Sequence, residues 1–452
     1  MENPCTDMLT VSHIRKSVRE LSLPRIAVTC VPTVSAPVQV MSGGPLPELT
    51  KDDLEQLLQA KVDSFAVSRL TAPGENYGST MLKVDVTLLP DRRKVFAVAK
   101  MVSEFPHMRE FFHYRETVPK EIYVYVHVRP EFQTIQKEYR VPERLFLDVI
   151  PKCYGARTTL GGGIDEPVDE SSVILLENLR VSGYRLVDRI VGMDLKHLEY
   201  AVIHLARFHS TAIVLKLKKP GVFKETVMKA TAFVRGGPPP GDEGTPGPLA
   251  LLKSLSHLPV FQQYKDKIKA AMDMDDELMQ MEEPPKAREP FATFLHNDFW
   301  TNNMMFSYGG INDEEITGVK IFDFQMTLYG SPITDLLFLL YSSRTLDVTK
   351  EDCDRLIKLY HKEFIKWLEL FGCDTEPFSY ENFLKEIEME ASKCFSHAFI
   401  MLRISSVPES NAPDLSIKSD ADKIFRDNTG LGKTYFMKVE KLIKEFVDRQ
   451  WI

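Results

Sequence analysis

The sequence predicts an α+β chain of two lobes, a mostly β N-terminal lobe followed by a mostly helical C-terminal lobe. Three observations predict it. The runs Met81–Leu88 and Lys94–Lys100 alternate apolar and polar residues with the two-residue period of half-buried strands, and a turn at Pro90-Asp91 lies between them. From Leu195 to Ile213 the apolar residues fall at helical spacing on one stripe, and amphipathic runs follow at about 351 to 371, 381 to 404 and 419 to 448. Between two short apolar segments stands the polar loop His296-Asn297-Asp298-Phe299-Trp300-Thr301-Asn302-Asn303, and a second strand-like run ends at Asp323, 25 residues after Asp298 (323 − 298).

Taken in order, residues 1 to 48 hold Pro32-Thr33-Val34-Ser35-Ala36-Pro37 and Ser42-Gly43-Gly44-Pro45 without sustained periodicity, and are expected to form a flexible extension. Residues 49 to 177 are expected to form the N-lobe. It opens with a helix whose N-cap is Thr50, with Asp52 and Asp53 in the first turn and Leu54, Leu57 and Leu58 on one face. The turn-rich segment Thr71–Thr80, with Gly74 and Gly78, leads into the first alternating run as a hairpin loop whose backbone N–H groups would approach phosphate oxygens. In the next run Val98-Ala99-Lys100 places Lys100 on one strand face with Val98 and Phe96, its ammonium at the end of an apolar wall and within reach of nucleotide phosphates.

Residues 178 to 452 are expected to form the C-lobe, with the long helix of the 195–213 stripe as its spine. His209 lies on that stripe and reads first as a hydrogen-bonded core histidine, second as a catalytic participant. The Gly- and Pro-rich run 236 to 248 is expected to be an exposed loop, and Cys394–Leu402, apolar on more than one face, a buried helix that borders an acceptor pocket only as its second reading.

The polar loop carries the chemistry. Transfer of a phosphoryl group to a hydroxyl needs a carboxylate beside the attacking oxygen, and Asp298 is placed to orient that hydroxyl and accept its proton. Mg²⁺ prefers oxygen ligands, and the Asn303 side-chain carbonyl with the Asp323 carboxylate would hold it against the phosphates.

Composition narrows the remaining classes. The chain has 452 residues with 56 basic and 64 acidic side chains, a net charge of −8, and no basic block, which argues against nucleic acid or an anionic membrane as the main partner. Cys5, Cys30, Cys153, Cys353, Cys373 and Cys394 show neither Cys-x-x-Cys nor zinc-type spacing and read as reduced thiols. No apolar run has signal-peptide or membrane-span length, so a cytoplasmic protein is expected.

The order of these motifs resembles the ecdysteroid kinase-like family, also called CHK kinase-like, within the superfamily of aminoglycoside phosphotransferases and choline kinases. The resemblance runs from about Leu49 to about Ile443 and rests on Gly74–Ser79, Glu121-Ile122 with Tyr125, Val149–Tyr154, Leu175–Leu179 with Gly183-Tyr184-Arg185, Leu205–His209, His296–Phe306, and Asp323-Phe324-Gln325 with Gly330-Ser331-Pro332 and Asp335-Leu336. It implies a protein-kinase-like fold, ATP and Mg²⁺ as cofactors, and a small-molecule hydroxyl acceptor. The acceptor it implies first is an ecdysteroid or related sterol alcohol. Choline-like or hydroxylated xenobiotic acceptors, or a non-catalytic binding relative, are the alternatives. It also implies that Gly74, Asn76, Gly78 and Ser79 line the nucleotide phosphates, that Glu121 on a helix pairs with Lys100, and that Glu177 lies in the hinge that receives adenine. Two residues depart from the family pattern. Asn297 stands where the family has Gly, tolerable because Asn adopts left-handed backbone readily, and Asn178 replaces the hinge Asp. The run Ile122-Tyr123-Val124-Tyr125-Val126 has strand propensity where the family places a helix.

Overall fold

A computed structural model describes residues 48–70, 78–232, 234, 252, 255–279, 286–408 and 431–452. Gly74, Asn76, the run 236 to 248, almost all of the N-terminal extension and the start of the 419–448 run lie outside them. The architecture is the two-lobed α+β one that the periodicity predicts.

Helix α1 (Lys51–Leu58) begins where expected: Thr50 Oγ1 accepts from the Asp53 amide at 3.2 Å while Asp53 accepts from the Thr50 amide at 2.8 Å, a reciprocal cap. Strands β1 (Val62–Arg69), β2 (Ser79–Leu88), β3 (Lys94–Val102), β4 (Cys153–Arg157) and β5 (Val173–Glu177) form one antiparallel sheet in the order β1-β2-β3-β5-β4. Strand alternation divides its faces. Val95, Ala97, Ala99 and Met101 of β3 join Val173 and Leu175 of β5 against Leu54 and Leu57 of α1 in a small closed core. At Gly155 of β4 an added Cβ would lie 2.2 Å from the Leu57 carbonyl oxygen, so only glycine lets α1 lie this close. The other face, with Phe96, Val98 and Lys100 of β3 beside Ile174 and Leu176 of β5, turns toward the rest of the molecule.

Helix α2 (Tyr114–Tyr123), one wide turn at Val124–Val128 and helix α3 (Arg129–Glu138) run on without a break. The strand propensity of residues 122–126 is therefore overridden. Ile122, Val124, Tyr125, Val128, Phe132 and Ile135 are all buried in the main core, and that apolar contact outweighs the small helix penalty of β-branched residues.

In the helical lobe, α4 (Leu195–Lys218) is capped by Asp194 and packs along α6 (Lys350–Leu370). Helix α5 (Ile333–Ser342) packs on α7 (Tyr380–Ser406), which also meets α8 (Lys433–Asp448). The last helix starts only at Lys433, with Gly432 as its N-cap. Two small antiparallel pairs, β6 (Thr293–Leu295) with β9 (Leu328–Gly330) and β7 (Met304–Gly309) with β8 (Glu315–Ile321), frame the polar loop. Among the described residues no helix is long and apolar enough to cross a membrane.

Candidate active site

Lys100 lies on the inner face of β3, opposite Met81 of β2 and Ile174 of β5. Its Nζ stands 2.6 Å from Glu121 Oε2 on α2 and 2.7 Å from Asp323 Oδ1. Burial alone would push the ammonium down. The Asp323 and Glu121 carboxylates reverse this and hold Lys100 above its ordinary value, firmly charged. Glu121, deeper still, is pushed up by the same burial despite the lysine.

Asp323 follows β8 and has a left-handed backbone, φ +70°. Its amide faces the hydroxyl of buried Tyr125 at 3.4 Å, and the Phe322 amide donates to the Asn303 carbonyl at 3.1 Å, which ties the two segments together. Asn303 Nδ2 donates to both the backbone carbonyl and Oδ2 of Asp298, each at 2.8 Å. The Asp298 carboxyl is recessed, and the residue is half-buried. Burial and then the Asp323 charge push it up to about 7, against the opposing hydrogen bonds from Asn303 and Trp300. Asn297 has φ +61°, so the conformation that favours glycine is indeed used here, and Asn supplies it.

The loop is held from below by a residue that motif chemistry missed. Asp335, fully buried in the first turn of α5, accepts from the His296 amide at 2.7 Å and the Asn297 amide at 2.8 Å. His209 Nε2 lies 3.1 Å from the same carboxylate, and its Nδ1 lies 2.7 Å from the Tyr360 hydroxyl. His209 is thus a hydrogen-bonded core histidine two layers from the cleft. The signal for Asp335 was present: a single acid inside Ile333-Thr334-Asp335-Leu336-Leu337-Phe338-Leu339-Leu340 has to be buried, and buried carboxylates have donors. His296 itself turns inward, with Nε2 3.0 Å from the Phe322 carbonyl, and burial pushes its imidazole down.

The remaining expected residues lie at the rim. An added Cβ at Gly78 would sit 3.5 Å from the Gln325 side-chain nitrogen and 3.6 Å from the Phe112 ring, so the described end of the hairpin loop adjoins the segment after Asp323. Ser79 begins β2 opposite Val102. Glu177 ends β5, its amide donating to the Lys152 carbonyl at 2.9 Å and its Oε1 accepting from the Lys152 amide at 2.8 Å. The Asn178 amide donates to Phe96. Both amides are therefore engaged within the protein.

The site therefore brings Lys100, Glu121, Asp323, Asn303 and Asp298 into one chain of contacts, with Glu177 on the adjoining strand. The model of the Ecdysteroid kinase-like family matches residues 73–373, two thirds of the sequence and all five of these residues. The chain belongs to the ecdysteroid kinase-like family. Its two lobes are the kinase-like fold. Two solved structures resemble this ecdysteroid kinase-like chain. One is a choline kinase from Cryptosporidium parvum Iowa II, 12% identical over 86% of this chain and 91% of that one, with a TM-score of 0.39. The other is a Plasmodium vivax ethanolamine kinase, 13% identical over 86% of this chain and 85% of that one, with a TM-score of 0.36. No curated protein matches the chain.

Proposed function

We propose that this chain is an ATP- and Mg²⁺-dependent kinase of the cytoplasm that phosphorylates a hydroxyl of a small molecule, with an ecdysteroid or related sterol alcohol as its acceptor. One observation carries the reading: a buried lysine bridges a helix glutamate and Asp323, with Asn303 and Asp298 in sequence beyond it. The acceptor class follows the family, and the cytoplasmic placement follows the scattered thiols, of which Cys153, Cys353 and Cys373 are free.

Asn303 and Asp323 fit a hard cation, since both offer oxygen and stand side by side through the Phe322 amide. Among the described residues no three His, Cys, Asp or Glu side chains cluster for a metal. When bound, Mg²⁺ would neutralise charge on the transferred phosphoryl group. Lys100, released from Asp323, would hold the phosphates while Glu121 keeps the ammonium in place. Asp298 would accept the acceptor's hydroxyl proton as that oxygen bonds to the γ-phosphorus and the bond to the ADP oxygen breaks.

The test is to incubate the protein with ATP, Mg²⁺ and a pooled library of steroids, amino alcohols and other alcohols. A mass gain of one phosphate on a sterol alcohol is expected. Gain on choline alone would overturn the acceptor, and no gain on any alcohol would overturn the kinase reading.

A further inference from the structure

Helix α7 carries a half-open stripe along the edge of the main core. Phe395, Ala398, Phe399 and Leu402 are buried, whereas Lys393, His397, Ile400 and Ile404, at helical spacing on one face, are partly exposed. A core stripe would be closed, and a solvent stripe would be polar. Lys393 at its start is paired with Glu390, and the rest, an imidazole and two isoleucines that rest on the core, has the composition of a ligand wall, mostly apolar with one polar group.

The stripe lies beside the catalytic loop. The His397 ring stacks on Phe338 of α5, centroids 3.9 Å apart and planes 14° apart. Phe338 is one turn from Asp335, which holds the His296 and Asn297 amides immediately before Asp298. Past the loop, the Thr301 amide donates to Ser343 Oγ at the end of α5. The end of α7 is fixed too, since Arg189 donates to the carbonyls of Ile404, Ser405 and Val407 at 3.2, 2.8 and 2.7 Å.

We propose that His397 is the acceptor-orienting residue of this enzyme, its ring nitrogens hydrogen-bonding a hydroxyl of an uncharged alcohol that lies along Ile400 and Ile404. The inference rests on the hydroxyl-kinase reading above and adds a specificity residue to it. Among the described residues neither ring nitrogen has a hydrogen-bond partner, although the ring is recessed enough for burial to push it down to about 4. At neutral pH the ring is thus an uncharged donor and acceptor, the complement of a hydroxyl. Among the described residues the carboxylate whose field reaches it is Asp335, already engaged by two amides and His209.

The experiment titrates ecdysone calorimetrically into the full chain with Mg²⁺ and a non-hydrolysable ATP analogue, for wild type, His397→Phe and His397→Gln. The phenylalanine should weaken ecdysone binding roughly tenfold and raise its KM with little change in kcat, while the glutamine keeps more of the affinity. Binding of the ATP analogue should be the same in all three, and if the phenylalanine variant loses it through misfolding, the glutamine variant and a deoxy analogue of ecdysone decide. Ecdysone affinity unchanged in a variant that still binds the ATP analogue overturns the role of His397 and leaves the kinase reading standing. Wild-type binding of choline without ecdysone overturns both the role and the steroid acceptor. Absence of phosphoryl transfer to every alcohol is the separate failure of the kinase reading.

Discussion

The Lys100 ammonium lies 2.7 Å from the Asp323 carboxylate, a contact between residues 223 apart in the chain that ties the N-lobe sheet to the strand end after the catalytic loop. In the proposed reaction both side chains would also serve a bound nucleotide, the lysine its phosphates and the aspartate Mg²⁺. Each charge is neutralised by the other here, and under that reading Mg²⁺-ATP would enter by exchanging both partners. Glu121 would not exchange: at 2.6 Å it would keep the lysine aimed.

Lys100→Met should abolish measurable phosphoryl transfer and also destabilise the fold, because it leaves the buried Glu121 carboxyl without its cation; breaking such a pair costs about 3–5 kcal/mol. Glu121→Gln should slow transfer less. The double variant should lose less activity than the sum of the two free-energy changes and recover part of the stability lost by Lys100→Met. Steady-state kinetics and urea midpoints check this, and strict additivity in both would show that the pair does not act as a unit.

Asp323→Asn removes the charge proposed to serve the metal but preserves its shape. Affinity for the ATP analogue in the presence of Mg²⁺ should fall at least tenfold, while affinity in EDTA changes little. An equal loss with and without the metal would assign Asp323 to the nucleotide rather than to Mg²⁺.

Local chemistry made much of this legible. Lys100 follows from a two-residue strand period, α1 from the Thr50 and Asp53 cap, and Asn297 from its tolerance of a positive φ, confirmed at +61°. For Asp335 the sequence marks burial, a lone acid in an apolar run, but not its partners, since its three contacts come from the loop and from α4, which no local spacing encodes. The helical state of residues 122–126 was hidden for the related reason that burial between lobes, not propensity, decides it. At the hinge the family pattern indicates Glu177, but only the sheet register reveals that its amide and the Asn178 amide are occupied.

Asp335→Asn tests whether the loop is held by charge. The amide keeps one acceptor oxygen but turns an NH₂ group toward a backbone N–H, so the loop should loosen and stability should fall by about 2–4 kcal/mol. The KM for ATP should change little while kcat drops at least tenfold, because Asp298 is displaced and Lys100 is not. A parallel rise in KM for ATP would mean that Asp335 supports the whole lobe rather than the loop.

Asp298 couples catalysis and stability through one shifted carboxyl, pushed up to about 7 by burial and then by the Asp323 charge. Only the carboxylate can accept a proton, so kcat/KM should rise with an apparent pKa near 7, and Mg²⁺ beside Asp323 should move the limb of kcat to lower pH. Asp298→Asn should lower turnover by roughly 10²–10⁴-fold while nucleotide binding survives. The sign of the stability effect follows from linkage. The folded value lies above the unfolded one of about 4, so folding favours the protonated acid. That contribution is complete below about pH 4 and is lost as pH rises through about 7. At pH 8 the wild type carries a recessed carboxylate that the asparagine variant lacks, and the variant should be more stable by about 1–2 kcal/mol, a value reduced because the residue is half-buried. At pH 4 the advantage should vanish. Thermal unfolding of both proteins at the two pH values measures it, and a variant less stable than wild type at pH 8 would show that the Asp298 carboxylate is stabilised, not strained, where it stands.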